Sequence, residues 1–402
     1  MGTSKGIIFK LFVVVFCFSL NNYGSEGGRI GISKEEDTEL ERQLKILNKP
    51  PIKTFHTEWG DIIDCIDIHK QPAFDHPALK NHKIQMKPTF SPKRMITEKT
   101  LNVLEPEPSN IRIDGIECPE GTVPIRRTTK EDLIRAKSFS KTTNSSNFDN
   151  PSERAISAVI ILENEDQGIK YFGASAEMYT YNPSVGEDQF SAAQFWIESG
   201  PTIFPLNSIQ AGWIVTPQLY KDHLTRLFTY WTGNGSSVTG CYNTLCPGFV
   251  QIDPQILPSS PVDHTSTYGG KQYALNVYVS QAKTGDWWLI TAHGRKIGYW
   301  PKALFNGLSE GADRLKWGGS VSLSEGGISP PMGSGHFPDG LPSHSCYITG
   351  IMYTGQHEEL MNLGNSSVVG EINCKLYDLH NWGFIKGVGN AIEVGGPGGK
   401  CR

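Results

Sequence analysis

The residues of greatest chemical interest lie in a series of aromatic and glycine-rich motifs between Ser208 and Val321. In chain order these motifs read SIQAGW (Ser208–Trp213), FTYW (Phe228–Trp231), GCYNTLCPGFV (Gly240–Val250), YGG (Tyr268–Gly270), DWW (Asp286–Trp288), GYWP (Gly298–Pro301) and WGGSV (Trp317–Val321). Gln210 comes directly before an Ala-Gly pair, and Ser320 comes directly after Trp-Gly-Gly. A glutamine amide can donate a hydrogen bond to an oxyanion, whereas a serine needs a neighbouring base to react. The two side chains therefore supply hydrogen bonds but no general base.

This ordered series resembles the neprosin family of plant secreted glutamic peptidases. The resemblance implies one catalytic glutamate directly before Ala-Gly and a second directly after Trp-Gly-Gly, which are the positions of Gln210 and Ser320 here. Such a pair needs one carboxylate to take a proton from water and one acid to polarise the scissile carbonyl. The resemblance also implies a two-sheet antiparallel β-sandwich with the cleft on the concave face of one sheet, and cleavage beside proline at low pH in active members.

We therefore expect a catalytically degenerate peptidase homologue that binds a peptide or a proline-rich protein ligand in its cleft. We expect Gln210 and Ser320 to lie on neighbouring strands of one sheet. The alternative is an active acid prolyl endopeptidase with a remodelled site, because another glutamic peptidase family pairs glutamine with glutamate. The candidates for a relocated carboxylate are Glu198, Asp286, Glu325 and Asp339. Each of these is more simply interpreted as a solvated surface acid.

Other kinds of catalytic site receive little support from the sequence. A serine hydrolase pair would combine Ser320 or Ser334 with His293, His336 or His344, but the chain has no Gly-x-Ser-x-Gly elbow. His69, His76 and His82 are spaced by seven and six residues, which fits neither a zinc finger nor a metalloprotease. We expect no metal and no cofactor. The net charge of −4 does not suggest nucleic acid binding.

Aromatic side chains are candidates for ligand contacts, because proline rings stack well on aromatic faces. The candidate substrate-binding residues are Trp213, Tyr230, Trp231, Trp288 and Trp317. Most of the aromatic residues are more simply interpreted as core. In the Trp287-Trp288 pair, strand alternation sends one ring inward and the other outward.

Residues 1–24 have the pattern of a secretory signal peptide, with lysines before a short apolar run. The other seven cysteines are then disulfide candidates. The expected pairs are Cys241 with Cys246, Cys374 with Cys401, and Cys65 with Cys118, and the family resemblance supports the first two. Cys346 is left either free or intermolecular. Asn144, Asn234 and Asn365 begin glycosylation sequons. We expect a secreted protein, extracellular or vacuolar, that is monomeric and has no membrane contact after signal cleavage.

The pattern of the chain predicts four parts. These are the signal peptide (1–24), a small mixed α/β pro-region resembling an activation peptide (25–137), a polar linker (138–154) and an all-β domain (155–402). The pro-region contains a predicted helix from Ser33 to Asn48, a strand within Gly60–Ile68 and a short helix from Glu131 to Lys137. Short β-branched and aromatic runs after residue 155 predict an antiparallel sandwich or an open barrel, and the family resemblance implies the sandwich. Removal of the pro-region is expected within the linker.

Overall fold

The computed structural model describes residues 33–89, 106–111, 113, 115–144, 155–163, 169–200, 206–233, 240–291, 294–324, 326–364, 368–372 and 374–401. The predicted signal peptide lies outside these residues. The chain divides into two compact units, residues 1–39 and residues 40–402. Within the described ranges, no helix has the length and apolar character needed to cross a membrane.

The described residues form three α-helices, α1 (Lys34–Leu47), α2 (Lys130–Asn144) and α3 (Pro217–Tyr220). Helix α1 matches its prediction and ends before Pro50. Helix α2 differs from its prediction, because it continues through the first seven residues of the segment assigned to a linker. The physical reason is tertiary, since Phe139 is only 1% exposed and packs against Phe190 and Tyr242. Short 3-10 helices span Ile68–Lys70, Pro72–Asp75, Pro77–Leu79, Lys302–Leu304 and Leu308–Glu310.

The first large sheet has seven strands. In spatial order they are β10 (Cys241–Tyr242), β9 (Arg226–Thr232), β8 (Asn207–Val215), β7 (Ser191–Ser199), β15 (Arg314–Ser322), β5 (Ala155–Glu163) and β19 (Val368–Ile372). All neighbours in this sheet pair antiparallel.

The second large sheet has ten strands. Eight form its path, in the order β11 (Val250–Gln251), β14 (Lys296–Trp300), β13 (Trp287–Thr291), β12 (Tyr273–Gln281), β6 (Gly173–Tyr179), β17 (Cys346–Thr354), β21 (Gly389–Gly395) and β20 (Asp378–Ile385). Two more join at the side, β18 (Leu360–Asn362) on β17 and β3 (Glu107–Pro108) on β12. Smaller sheets are formed by β1 (Lys53–His56), β2 (Ile62–Asp67) and β4 (Thr122–Arg126), and by β16 (Ile328–Ser329) with β22 (Gly399–Lys400).

The main hydrophobic core lies between the two large sheets. Side chains on successive strand residues point to opposite faces, so Ile209, Ala211 and Trp213 of β8 enter this core while Gln210 and Gly212 lie on the outer face. Trp287 of the second sheet contributes to the same core. The predicted all-β, two-sheet antiparallel sandwich with a small mixed N-terminal region is thus confirmed.

Three disulfides are present, and each joins a predicted pair. They connect Cys65 with Cys118, Cys241 with Cys246, and Cys374 with Cys401. Cys346 is unpaired and fully buried, and its thiol lies 3.3 Å from the carbonyl oxygen of Tyr179. Of the two expectations for Cys346, the free thiol is therefore the correct one, because a thiol without exposed surface cannot form a disulfide with a second chain.

The N-terminal region packs directly on the sandwich. Leu79 and Ile111 are part of the main core. Gln71 accepts a hydrogen bond from the backbone N–H of Gln251 at 2.8 Å and donates one to its carbonyl at 3.0 Å. Buried polar groups are usually hydrogen-bonded, so this pairing stabilises the contact between the N-terminal region and the sandwich.

Asp61 is the charged centre of this contact. Its carboxylate accepts from Arg126 at 2.6 Å and from Arg226 of β9 at 2.9 Å, and all three side chains are largely buried. Arg226 also pairs with Asp222 and donates to the carbonyl of Ser259 at 2.8 Å. Burial alone would raise the pKa of Asp61, but the two guanidinium groups outweigh it and hold the pKa below its ordinary value.

We predict that Asp61→Ala lowers the free energy of unfolding by about 3 kcal/mol, because it leaves Arg226 buried with fewer partners. The measurement is guanidinium denaturation at neutral pH. Lys271→Ala is the matched control, since Lys271 and Glu107 form an exposed pair at 2.8 Å and such pairs contribute little. Equal effects of the two substitutions would contradict the role given to Asp61.

The lowered pKa of Asp61 determines how its contribution to the free energy of unfolding depends on pH. A carboxylate with a lowered pKa in the folded state stabilises the protein above its ordinary pKa, and the stabilisation disappears as the pH falls through the lowered value. The difference in unfolding free energy between the natural chain and Asp61→Asn should therefore shrink on acidification. A difference that grows in acid would contradict this assignment.

Candidate functional site

The outer face of the seven-stranded sheet carries the predicted site. Gln210 of β8 is directly opposite Tyr230 of β9 and Trp196 of β7, and Trp196 is in turn opposite Lys316 of β15. These four residues therefore form one row across the sheet, in the order Tyr230, Gln210, Trp196 and Lys316. Gln210 and Lys316 are partly exposed, whereas Trp196 is only 7% exposed.

The adjacent row has glycines on either side of Gln194. Gly212 of β8 and Gly318 of β15 both pair with Gln194 of β7. A Cβ atom at Gly212 would lie 2.1 Å from the carbonyl oxygen of Ala193, so no other residue fits without movement of the strands. The glycines add no side chains beside Gln194, and we call this row together with the row of Gln210 the groove.

Two glutamine amides are linked in the groove. Gln194 Nε2 donates to Gln210 Oε1 at 3.4 Å, and Gln210 Nε2 donates to Ser208 Oγ at 3.4 Å. These contacts orient both amides along the outer face. The arrangement can hydrogen-bond to a peptide group, which presents one donor and one acceptor.

Ser320 does not lie on a strand next to Gln210, contrary to the prediction. Strand β7 separates β8 from β15. Gln210 is level with Trp196 of β7 and Ser320 is level with Ala192, four residues away. That offset corresponds to roughly 13 Å along the strands, in addition to two interstrand spacings of about 4.8 Å. The Ser320 hydroxyl instead accepts a hydrogen bond from Ser157 at 3.3 Å.

Lys316 is the residue that lies across β7 from Gln210. Its ammonium group is 3.2 Å from Glu198 Oε1 and 5.6 Å from the centre of the Trp196 ring. Glu198 Oε2 accepts a hydrogen bond from Arg314 at 2.9 Å. Glu198, one of the predicted alternative acids, is thus 3% exposed and held between two cations. Each oxygen of this carboxylate is therefore engaged by a cation.

The remaining alternative acids lie elsewhere. Asp286 directly precedes β13 of the other sheet, where it accepts from Lys302 N at 2.9 Å and Thr284 Oγ1 at 2.8 Å. Asp339 lies between β16 and β17 and is 2.7 Å from His344 Nδ1. This hydrogen bond lowers the pKa of Asp339. Glu325 lies outside the described residues.

The geometry gives no support to a serine hydrolase pair or a metal centre. Ser334 Oγ donates to the backbone carbonyl of His344 at 2.6 Å and not to its ring. His336 stacks on Tyr268, and His293 lies outside the described residues. In the part of the chain that the structure describes, no group of three or more potential ligands is placed to hold a metal. His82 instead contacts the hydroxyl of Tyr299 at 2.8 Å.

Of the five aromatic residues predicted to bind substrate, Tyr230 alone lies on the face that carries Gln210. Trp213, Trp231 and Trp317 belong to the core between the sheets. Trp213 and Trp317 donate their indole N–H groups to the carbonyls of Tyr179 and Ser175, each at 3.1 Å. Trp288 points outward as alternation predicts, but it is fully buried beside Ala73 and Phe74 of the N-terminal region. Strand alternation and packing thus bury four of the five aromatic residues, so they are not available to contact a ligand in the uncut chain.

Sequence reasoning missed Gln194 and Lys316. The alternation of β7 places Gln194, Trp196 and Glu198 on one face, and this pattern is visible in the sequence. The position of Lys316 is not visible, because it depends on the register between β15 and β7. Asn234 and Asn365 lie outside the described residues, and Asn144 is the last residue of α2.

Comparison with known proteins identifies two family matches. The family model Neprosin matches residues 187–397, and the model Neprosin activation peptide matches residues 54–171. The first spans more than half of the chain. The second includes β2, α2 and β5.

Among solved structures, the chain is similar to two crystal structures of scytalido-glutamic peptidase with transition state analogs. The identities are 11% and 12%, the TM-scores 0.32 and 0.30, and 60% of this chain aligns with 97% and 96% of the others. SCP-B, a member of the Eqolisin family in complex with the tripeptide Ala-Ile-His, is similar at 11% identity with a TM-score of 0.27, over 60% of this chain and 96% of that one.

We predict that Gly212→Ala destabilises the protein by about 1–3 kcal/mol, the usual cost of forcing extra atoms into a packed site. The reason is the contact between the new Cβ and the carbonyl of Ala193. Gly370→Ala is the matched control, because Gly370 is also in a strand of this sheet and a Cβ there meets nothing within 4 Å. Thermal unfolding of both variants provides the measurement, and a neutral Gly212→Ala would mean that the strands are less closely paired.

Proposed function

Because the chain belongs to the neprosin family, we propose that it is a secreted, catalytically degenerate member that binds peptide in the groove of its glutamic peptidase-like fold. The observation that carries the proposal is that Gln210 and Ser320 stand at the two positions where the family resemblance implies catalytic glutamates. A hydrolase that uses two carboxyl groups needs an acid at each side of the scissile bond. Here the two positions carry an amide and a hydroxyl, and the residue level with Gln210 across β7 is the cation Lys316.

The chemistry of the row supports binding over hydrolysis. The nearest carboxylate, Glu198, forms ion pairs with Lys316 and Arg314. Ser320 lies on β15, separated from Gln210 by β7, and its hydroxyl accepts a hydrogen bond from Ser157. Neither can readily take a proton from a water molecule beside Gln210. The paired amides of Gln194 and Gln210 remain suited to the hydrogen-bonding groups of a peptide backbone.

The alternative is an acid prolyl endopeptidase that uses Gln210 with a remodelled partner. Glu198 lies on the same outer face as Gln210, and this is the observation in its favour. Its activity would require Glu198 to leave its two cations. The two candidate functions differ in one measurable property, the cleavage of a peptide bond.

We predict no cleavage of a proline-containing fluorogenic peptide by the purified, N-terminally processed protein between pH 3 and pH 7. Processing is checked by mass spectrometry before the assay. Turnover that disappears in the Gln210→Ala variant would contradict the proposal and favour the acid endopeptidase.

Restoring the carboxyl groups tests the same proposal from the other side. Two double variants are compared, Gln210→Glu with Ser320→Glu, and Gln210→Glu with Lys316→Glu. The first is expected to create acid-dependent activity, because the family resemblance places catalytic glutamates at positions 210 and 320, and the second is the control at a position that the resemblance does not assign. If neither variant cleaves the peptide, the groove has lost more than its acids.

The N-terminal region is proposed to act as a pro-region of a secreted precursor. The three disulfides suit an oxidising compartment. The match to the Neprosin activation peptide model supports the assignment of a pro-region. Helix α2 packs on the outer face of the seven-stranded sheet through Phe139. Ligand access to that face therefore requires α2 to move.

We predict that the secreted protein is cut between residues 145 and 154, the small, polar part of the predicted linker that follows the end of α2 in the sequence. N-terminal sequencing of protein recovered from the culture medium provides the measurement. Recovery of uncut chain alone from the extracellular fluid would contradict the pro-region role.

A further inference from the structure

A second hydrophobic cluster lies on the outer face of the seven-stranded sheet, separate from the main core. We call it the aromatic pocket, and it is lined by Phe190, Phe228, Tyr230 and Tyr242, with Ala192, Ile214, Leu219 and Tyr220 around them. The side chain of Phe139 from α2 lies in this pocket. Its ring meets Phe190 edge-on at 5.4 Å and Tyr242 at 4.9 Å, and Tyr230 is 4.6 Å from Tyr242.

The pocket lies in the same region of the sheet as the groove. Tyr230, which lines the pocket, is directly opposite Gln210. Ala192, also in the pocket, is directly opposite Ser320. Phe228 is opposite Gly212 at one end of the glycine row. A peptide extended along the groove would therefore pass over the pocket.

Phe139 belongs to a helix that is otherwise largely polar. It is the one aromatic residue of α2 and is 1% exposed, whereas Ile134 on the same helix is 37% exposed. Leu133 packs elsewhere, with Leu40 and Leu47 of α1. The contact of α2 with the pocket thus consists chiefly of one inserted ring, with Ala136 beside it.

We propose that the aromatic pocket is a binding site for an aromatic side chain of a peptide ligand, with Phe139 as its resident occupant in the uncut chain. This proposal rests on the proposed peptide-binding function and adds the class of residue recognised. Edge-to-face contacts between rings favour an aromatic guest beyond the area that it buries. A prolyl ring is smaller and would leave part of the pocket empty, which costs packing energy.

The lining also disfavours charged guests. Its inward side chains are aromatic and aliphatic, and a charge without a partner in such surroundings is strongly disfavoured. The backbone of the ligand would remain in the groove beside Gln210, where the amides can bond to it. Recognition is thus divided between an apolar pocket for one side chain and a polar row for the main chain.

The test uses the full chain with Phe139→Ala, which removes the resident ring and leaves Ala136 as the apolar contact of α2 with the pocket, so that α2 can move aside for a probe. The probes are N-acetyl-phenylalanine amide, N-acetyl-proline amide and N-acetyl-alanine amide, measured by calorimetric titration. The phenylalanine probe is expected to bind this variant saturably and about tenfold more tightly than the proline probe, a ratio that corresponds to about 1.4 kcal/mol. The natural chain, whose pocket is filled, should not bind it.

Two control variants separate a ligand site from a simple cavity. Phe195→Ala removes a fully buried ring of the main core, and its closed cavity should not admit a capped amino acid. Ile134→Ala changes the exposed side of α2 and should behave as the natural chain. Equal affinity for the phenylalanine and alanine probes, tighter binding of proline, or equal binding by Phe195→Ala would each overturn the proposal.

If Phe139→Ala does not fold, Phe139→Leu provides a second measurement. Leucine retains an apolar contact but loses the ring contacts, so the phenylalanine probe should displace it and increase hydrogen exchange of the α2 amides. Unchanged exchange at saturating probe would overturn the proposal. The measurements of probe binding and hydrogen exchange do not depend on catalysis. Detection of peptide cleavage would therefore refute the proposed function without changing the outcome for the aromatic pocket.

Discussion

The register between β7, β8 and β15 is the constraint on which the rest of the molecule depends. In paired strands, side chains alternate between two faces, and a shift of one residue would exchange the faces of a whole strand. The observed pairing sends Phe195, Trp213 and Trp317 into the core and leaves Gln194, Gln210 and Lys316 outside. The same backbone hydrogen bonds therefore determine which side chains form the core and which lie in the groove.

This separation of faces explains how side chains of the groove can differ while the fold is preserved. The core residues of β8 and β15 point away from the outer face. A carboxyl group, an amide or a hydroxyl on that face therefore fits the same sandwich. Lys316 on that face forms an ion pair with Glu198.

The N-terminal region interacts with both large sheets, and its contacts differ in kind. Next to the second sheet it contributes apolar contacts around Trp288 and the buried pairing of Gln71 with Gln251. Near the first sheet, Asp61 neutralises Arg226 and Phe139 fills the aromatic pocket. The region thus stabilises the sandwich and covers part of the face that carries Gln210.

The sequence by itself determined the sandwich, helix α1, the disulfide pairs and the absence of glutamate at positions 210 and 320. Local alternation and capping predict the short strands and helix α1. The two-sheet sandwich and two of the disulfide pairs were implied by the family resemblance, because cysteine spacing alone leaves several pairings open. Only the tertiary structure decided that Lys316 faces Gln210, that Ser320 is displaced along the sheet, and that α2 continues to Asn144. The physical reason is that register and helix extension depend on partners distant in the chain, here β7 and the aromatic pocket around Phe139.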